Sequence, residues 1–544
     1  MPRKSKAKPF WTVDCETDPF KEGRLPVPFI WGLYTGEEYY EFATAAQLVE
    51  FLQDKNVTVY AHNGGKFDYH YLRDAINSDE KIMVIAGRMA SFKVGDCEFR
   101  DSINIIPVAL REIQKTEIDY AKLEPDVRHL HMPEIRSYLK SDCVNLYEAI
   151  DRYFKTYGRS MTQAGSSFRY WRKHYPTPFV RQTAEQSEFY RKFYYGGRVQ
   201  CFESGHARAD FKVFDINSAY PYAMGFQHPI SPGAVITHHL PELEKMGSCM
   251  IELDAVAQGC FPLKDEKGAM FFPDDGKVHH FNVTGWELKA ALELDAVKII
   301  NVQNVYEFPL SVNFNEYVQF FYEQRKEAKK VGDAAGSVFA KLFMNSLYGK
   351  FAADPEKYRE YLITHPETVD QYLDARLYPN GGVWSDAGPW GDRILMSRPL
   401  PESKHKYFNV ATAASITGFV RAYLFKALRQ SGGLIYCDTD SIACRVPAGM
   451  VEGNELGQWK LEMECDEYAV AGKKLYAFHG TDGKWKCASK GTQLKNDPQA
   501  IVRIAKGEQV LYKPPVPTYS IHADGPQFTN RVVRRTAKDI RHLS

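Results

Sequence analysis

The chain has 544 residues, room for roughly three to four domains. Hydrophobic residues make up 44% and charged residues 25%, the balance of a globular protein. No run of about 18 apolar residues offers a membrane span, and the basic start "MPRKSKAKPF" leads into no signal peptide. The formal net charge of +1 excludes a whole-chain basic signature for nucleic acid, so any basic track has to be local.

In chain order, "FWTVDCE" (10–16) predicts a strand ending in acids, and "VTVYAHNGG" (57–65) a buried strand running into a glycine turn. "MPEIRSYLKSDCVNLYEAIDRYF" (132–154) predicts a long helix, so residues 1–155 read as an α/β domain. Residues 156–200 read as a connector ending in "FYYGGRVQ". "FKVFDINSAYP" then opens a second half. Residues 261–313 are mixed and 354–405 read as a loop-rich insertion, setting off the stretches 201–260 and 406–497. Between the insertions, Phe314, Tyr317, Val318 and Phe321 follow i, i+3, i+4, i+7 spacing. "KKVGDAAG" turns the chain and "SVFAKLFMNSLYGKF" returns it, a helical pair over 314–353. The tail, 498–544, is basic, with Arg531, Arg534, Arg535 and Lys538. The ten cysteines form no CxxC pair and no zinc spacing, which fits a reducing, intracellular compartment.

Chemistry concentrates in carboxylates. In "LIYCDTDSIACRV" (434–446), Asp438 and Asp440 stand at i and i+2, positions that share one face of a strand. A polar hairpin turn would use the same residues; a hard divalent cation with oxygen ligands is the other reading. Asp215 in "VFDINSAYP" ends a second strand, and beside Asp440 it could hold a metal pair for in-line phosphoryl displacement. Lys341, Asn345 and Tyr348 lie at i, i+4 and i+7 on one helical face, and Lys329 precedes the turn. In the first half Asp14 and Glu16 repeat the i, i+2 pattern. Asp68 follows in "HNGGKFDYHYL", and Tyr138 and Asp142 share a helix face, a set suited to hydrolysis with Tyr138 orienting water.

"DINSAYP", "KLFMNSLYG" and "YCDTDS", in that order, resemble motifs A, B and C of family B DNA polymerases. The N-terminal acids resemble the Exo I, II and III motifs of DnaQ-type 3′–5′ exonucleases. The implied fold is α/β and α+β multidomain: an RNase H-like exonuclease domain, then a right-hand palm, fingers and thumb with two insertions. By that resemblance Asp215 and Asp440, with Ile216 beside them and Asp438 in support, would bind two Mg²⁺, with Mn²⁺ able to substitute. Asp14, Glu16, Asp68 and Asp142 would bind a second pair. Lys341 and Lys329 would hold the nucleotide's phosphates, with Asn345 on the same stripe. Tyr220 would exclude a ribose and Tyr348 would pack near the nascent base pair. "KKLY" resembles the KxY motif, setting Lys474 and Tyr476 near the primer terminus. Asn63 and Phe67 would contact the frayed primer end, with Thr17 following Glu16 as in phage enzymes. "NGGKFD" has one residue more between Asn63 and Phe67 than some relatives.

Further features resemble the protein-primed phage and plasmid branch. Asp14 lies almost at the start. About 125 residues separate motifs A and B, and nearly 90 separate B and C, leaving room for two terminal protein regions at 261–313 and 354–405. "YYGGR" matches the branch's YxGG linker, where Tyr194, Gly196, Gly197 and Arg198 would meet DNA. Lys115 in "QKTEIDY" matches a further lysine of the branch, and Ser102 a single-strand or terminal-protein contact. The implied enzyme is a strand-displacing, proofreading DNA polymerase. Its partners would be template, primer, dNTPs and a terminal protein, and it would act as a monomer in the cytoplasm of an infected bacterium or from a plasmid. A conventionally primed or primer-independent family B polymerase is the alternative, and a nuclease whose polymerase half only binds DNA is the alternative of another class.

Overall fold

A computed structural model describes residues 8–21, 23–113, 117–374, 383–522 and 525–536. The strand Phe10–Thr17 pairs antiparallel with Pro28–Tyr34 and parallel with Thr58–Ala61, which pairs parallel with Cys97–Asp101. Helix Met132–Tyr157 covers this sheet with Ile135, Leu139, Cys143, Leu146 and Ile150, one stripe at near-helical spacing. Pro133 opens the helix, and Gly158 at φ 75° ends it. Near its end Arg152 reaches both carboxylate oxygens of Asp333 (Nη1 at 2.7 Å), the residue that caps the second helix of the 314–353 pair.

The sheet of the N-terminal domain does not stop at residue 155. Its ten strands end with Lys81–Ile85, Arg359–Thr364, Arg393–Pro399 and Ser385–Trp390, with Tyr361 opposite Ile82. The stretch expected to be loop-rich therefore completes this sheet. Tyr361, Ile363 and Leu395 join the core of Val13 and Phe99. The buried Glu360 accepts from Lys81 at 2.8 Å and from Arg398, and Arg393 donates to the carbonyls of Ile76 (2.6 Å) and Arg73 (2.9 Å). Sequence alone hides this because the partner strand lies about 280 residues away, and an edge strand acquires its neighbour only in space.

A seven-stranded antiparallel sheet runs in the order Trp485–Ser489, Leu475–Gly480, Trp459–Gly472, Gly205–Ile216, Ser441–Val446, Gly432–Asp438, Val199–Cys201. Helix Val410–Gln430, buried on almost every side, backs it. The connector contains two helices, Gln163–His174 and Ala184–Tyr190, the latter closed by a Thr183/Gln186 capping box. A four-stranded sheet (Val235–Thr237, Val297–Glu307, Cys249–Ala257, Val278–Thr284) begins upstream of residue 261. The helical pair is Asn315–Lys330 and Ala334–Phe351, with Phe314, Tyr317, Val318 and Phe321 all buried as their spacing predicts. In the tail, helix Pro498–Ala505 is followed by a hairpin, Val510–Tyr512 with Arg531–Val533. The loop between them returns to the ten-stranded sheet, where Ile521 enters its core. Among the described residues no helix is long and apolar enough to cross a membrane.

Candidate active sites

Asp215 lies one residue before the end of its strand, with Ser441 opposite it on one side and Lys460 on the other. The Ile216 amide donates to the Asp440 carbonyl at 2.8 Å, tying the two acid-bearing segments together. Asp438 closes its strand, Thr439 has φ 61°, and the next strand resumes at Ser441. The i, i+2 strand argument for Asp438 and Asp440 is therefore corrected: they flank a hairpin turn, and cross-strand register brings Asp440 to Asp215. Burial first, then Asp440 and Glu462, pushes the Asp215 carboxyl up to about 7. Burial first, then Asp438, pushes Asp440 up to about 6. Acids crowded in this way resist ionising until a cation joins them. Asp438 already has one in Lys474, whose Nζ sits 2.6 Å away. Tyr476 is buried against Tyr436, ring centroids 4.7 Å apart.

The YxGG segment serves this turn. The Thr439 amide donates to the Arg198 carbonyl at 2.6 Å, and a Cβ on Gly197 would lie 2.6 Å from the Thr439 side chain. Buried Arg421 donates to the carbonyls of Tyr195 (2.6 Å) and Gly196 (2.9 Å) and pairs with Glu287 at 2.7 Å. Tyr194 is half-buried in the same segment, and the space beside Gly196 is open. Arg198 itself is 1% exposed, donating to Gln200 and to the Gly259 carbonyl while stacking on Phe272. The expectation that it touches DNA is corrected: its guanidinium is spent inside the fold.

On the helical pair, Asn345 donates to the Lys341 carbonyl at 2.9 Å, and Tyr348 stacks on Tyr220. The Lys329 ammonium is disfavoured by Arg325 first, then by burial, Lys460 and Lys341, which marks a gathering of cations between the helical pair and the strand that carries Lys460. Glu462, Lys486, Arg325 and Lys460 were not legible as site residues. Glu462 occupies a bulge between Leu461 and Met463 that aims it at the acids, and it is ion-paired with Lys486. The alternating "WKLEME" looks like a solvated strand until its register is known.

The second site is a cavity of about 370 Å³ lined by Asp14, Glu16, Thr17, Asn63, Phe67, Asp68, Tyr138 and Asp142. Burial first, then Asp68, Glu16 and Asp142, raises the Asp14 carboxyl well above its usual range. Burial, Asp142 and Asp68 push Glu16 up to about 8, and burial pushes Asp68 to about 6 although Cys15 donates to it at 3.1 Å. Among the described residues no group of three or more His, Cys, Asp or Glu side chains is drawn together as a metal site would need. The donors are all oxygen, though, and their mutual repulsion fits a hard divalent cation at both sites.

Asn63, at φ 64°, accepts from Arg88 at 2.9 Å. Within "NGGKFD", Gly65 packs where a Cβ would collide with the Met89 carbonyl, while its amide donates to Asp101. Thr17 donates to the Asp18 carbonyl. Ser102 is fully buried, bonded to the Ala61 carbonyl and His62. Its expected DNA or protein contact is corrected to a role inside the core. Lys115 and Lys538 lie outside the described residues. From the tail, Val516, Pro517 and Tyr519 complete the cavity wall. Tyr519 packs edge-on against Phe67 at 5.3 Å and meets the Tyr71 hydroxyl at 2.9 Å.

A sheet bearing paired acids, a cationic helix pair and an acid-lined cavity on an α/β domain together define a nucleotidyl-transfer enzyme with an attached nuclease fold. Residues 112–381 match the family model described as DNA polymerase type B, organellar and viral. The chain is 34% identical to the DNA-directed DNA polymerase of Enterobacteria phage PRD1, across 99% of this chain and 100% of that protein. It is 26% identical to the DNA polymerase of Bacillus phage Nf, across 71% and 69% of the two chains. Its fold resembles Phi29 DNA polymerase complexed with primer-template DNA and incoming nucleotide substrates. That likeness has a TM-score of 0.72 and 18% identity, and covers 97% of this chain and 100% of that one. The chain belongs to the type B DNA polymerases of the organellar and viral family.

Proposed function

We propose that the chain is a replicative, DNA-dependent, strand-displacing DNA polymerase with 3′–5′ proofreading, primed by the hydroxyl of a terminal protein. The observation that carries this is the convergence of Asp215 and Asp440 across one strand ladder, in a chain whose helical pair gathers Lys329 and Lys341. Asp215, Asp440 and the Ile216 carbonyl would hold two Mg²⁺, or Mn²⁺ in their place; Asp14, Glu16, Asp68 and Asp142 would hold a second pair. Such ions acidify the attacking oxygen and offset charge on the leaving group. Lys329 and Lys341 bind the triphosphate. Tyr220, backed by Tyr348, lies under the sugar, where a 2′-hydroxyl would collide. Lys474 and Tyr476 line the primer end, with Asp438 fixing the lysine. In the nuclease cavity Tyr138 orients the attacking water, and Asn63, Thr17 and Phe67 grip the frayed strand.

We assign the exonuclease domain to 1–155 with 354–405 added to its sheet, and the linker to 156–200. The palm takes 201–234 and 406–497, the first insertion 235–313, the fingers 314–353 and the thumb 498–544. The insertions are the surfaces for the terminal protein and the displaced strand. The enzyme acts as a monomer in the cytoplasm of a phage-infected bacterium. The test is incubation with labelled dNTPs, Mg²⁺ and terminal protein without oligonucleotide. Label transferred to the protein supports the reading; label incorporated only from a nucleic-acid primer overturns protein priming. Extension that survives Asp440→Ala overturns the polymerase site.

A further inference from the structure

The helix Met132–Tyr157 covers the nuclease sheet and ends against the helix Ala334–Phe351 of the fingers. Arg152, near its end, lays its guanidinium fork on the Asp333 carboxylate, with Nη1 2.7 Å from Oδ1. Asp333 also caps the fingers helix, accepting from the Gly336 amide at 3.0 Å. A side chain on Gly336 would run into both charged groups. Further along, Tyr157 stacks on Phe343, ring centroids 3.9 Å apart, and Tyr153 meets Phe339 edge-on at 5.5 Å. Phe339 and Phe343 stand at i and i+4, so one face of the fingers helix rests on the nuclease helix. Lys341, Asn345 and Tyr348 occupy the opposite face. A slide or roll of this helix against Arg152 and Tyr157 therefore carries the Lys341 side chain with it. Apolar packing is non-directional and tolerates such a slide, whereas a two-pronged ion pair fixes one position.

We propose that Arg152 and Asp333 are positioning residues for nucleotide incorporation: they anchor the helix that carries Lys341 to the nuclease domain, so the polymerase half binds its nucleotide braced against the nuclease half. This rests on the polymerase reading and adds to it a dependence between the two halves. Neither residue touches the nucleotide; both act through the placement of the fingers helix. Without the pair that helix is held to the nuclease helix by aromatic contacts alone. The incoming nucleotide then has to order it on binding, which weakens binding and leaves the carboxylates of both sites as they were. The nuclease cavity draws Tyr138 and Asp142 from the other half of the helix Met132–Tyr157, away from Arg152, so strand degradation is insulated from the change.

The experiment is single-nucleotide extension of a primer–template by the full chain, unmodified and as Arg152→Ala, Asp333→Asn, the double variant and Arg152→Glu. Asparagine caps a helix as well as aspartate does, so Asp333→Asn removes the charge and keeps the cap. The expected KM for dNTP is about 3- to 10-fold higher in each of the first two, the scale of a well-aligned pair between half-exposed side chains, with kcat and single-strand degradation retained. The double variant should be no worse than either single one, because both remove the same contact. Arg152→Glu should raise KM further by repelling Asp333, and adding Asp333→Asn to it should bring KM back to the alanine level. A general loss of fold would instead lower kcat and degradation together and multiply in the double variant, and that pattern would overturn the proposal. So would an unchanged KM in both single variants beside normal extension by the unmodified chain. Failure of the unmodified chain to extend at all would overturn the polymerase reading beneath it.

Discussion

Tyr220 and Tyr348 lie face to face, ring centroids 4.3 Å apart and planes 8° apart. One comes from the short helix Ala219–Met224 and the other from the helix Ala334–Phe351, so each ring fixes the other's tilt. Replacing Tyr220 with Val should lower discrimination against ribonucleotides by about 10- to 100-fold, the range a lost steric contact covers. Tyr348→Ala should give part of the same effect by letting Tyr220 swing. The ratio of kcat/KM for dNTP and rNTP measures both.

The two acid clusters should fail independently. Asp215→Asn or Asp440→Ala should reduce primer extension by about three orders of magnitude and leave single-strand degradation intact. Asp14→Ala or Asp142→Ala should do the reverse. Paired gel assays of extension and 3′ degradation on the same preparations separate the two.

Metal-free stability should decline toward neutral pH. Glu16, raised to about 8, and Asp215, raised to about 7, bind protons more tightly folded than unfolded, where carboxyls titrate near their ordinary values. Their stabilisation is present below about pH 4 and is lost as pH climbs through about 7 to 8. The melting temperature in chelator should therefore fall between about pH 5 and pH 8, and Glu16→Gln should flatten the fall. Added Mg²⁺ should cancel it, a result read by calorimetry at several pH values.

The Arg421–Glu287 pair, each side chain 1% exposed, underpins the loop that braces the Asp438–Asp440 turn. Arg421→Met leaves Glu287 buried and unpaired, and should cost about 3–5 kcal/mol. Replacing both residues with apolar ones of similar volume should recover much of that in denaturant melts. Polymerase activity should remain below normal, because the Tyr195 and Gly196 carbonyls have lost their donor.

Asp215, Asp438 and Asp440 stood out as candidates because motif order survives in the sequence and because each lies at or beside a strand end. Their geometry was not, since a hairpin turn and a straight strand can show the same i, i+2 spacing until φ at Thr439 is known. The helical pair could be read from apolar spacing alone. Arg198 and Ser102 looked like surface contacts because a cation or hydroxyl beside glycines or acids gives no sign of burial. Lys460, Glu462 and Tyr519 stayed hidden for a different reason: their neighbours are set by register and chain return, which periodicity does not encode. The strands within 354–405 share that difficulty, with glycine- and proline-rich stretches around them masking β-structure.

The ten-stranded sheet bears on any attempt to dissect this enzyme. Cutting the chain after residue 155 would strip Lys81–Ile85 of one of its two neighbours, Arg359–Thr364, bare one flank of the core and leave an unpaired rim open to self-association. An excised proofreading fragment should therefore precipitate unless 354–405 is supplied with it. Excision of that later stretch to make a smaller synthetic enzyme should impair error correction as well as whatever the stretch does at the replication fork.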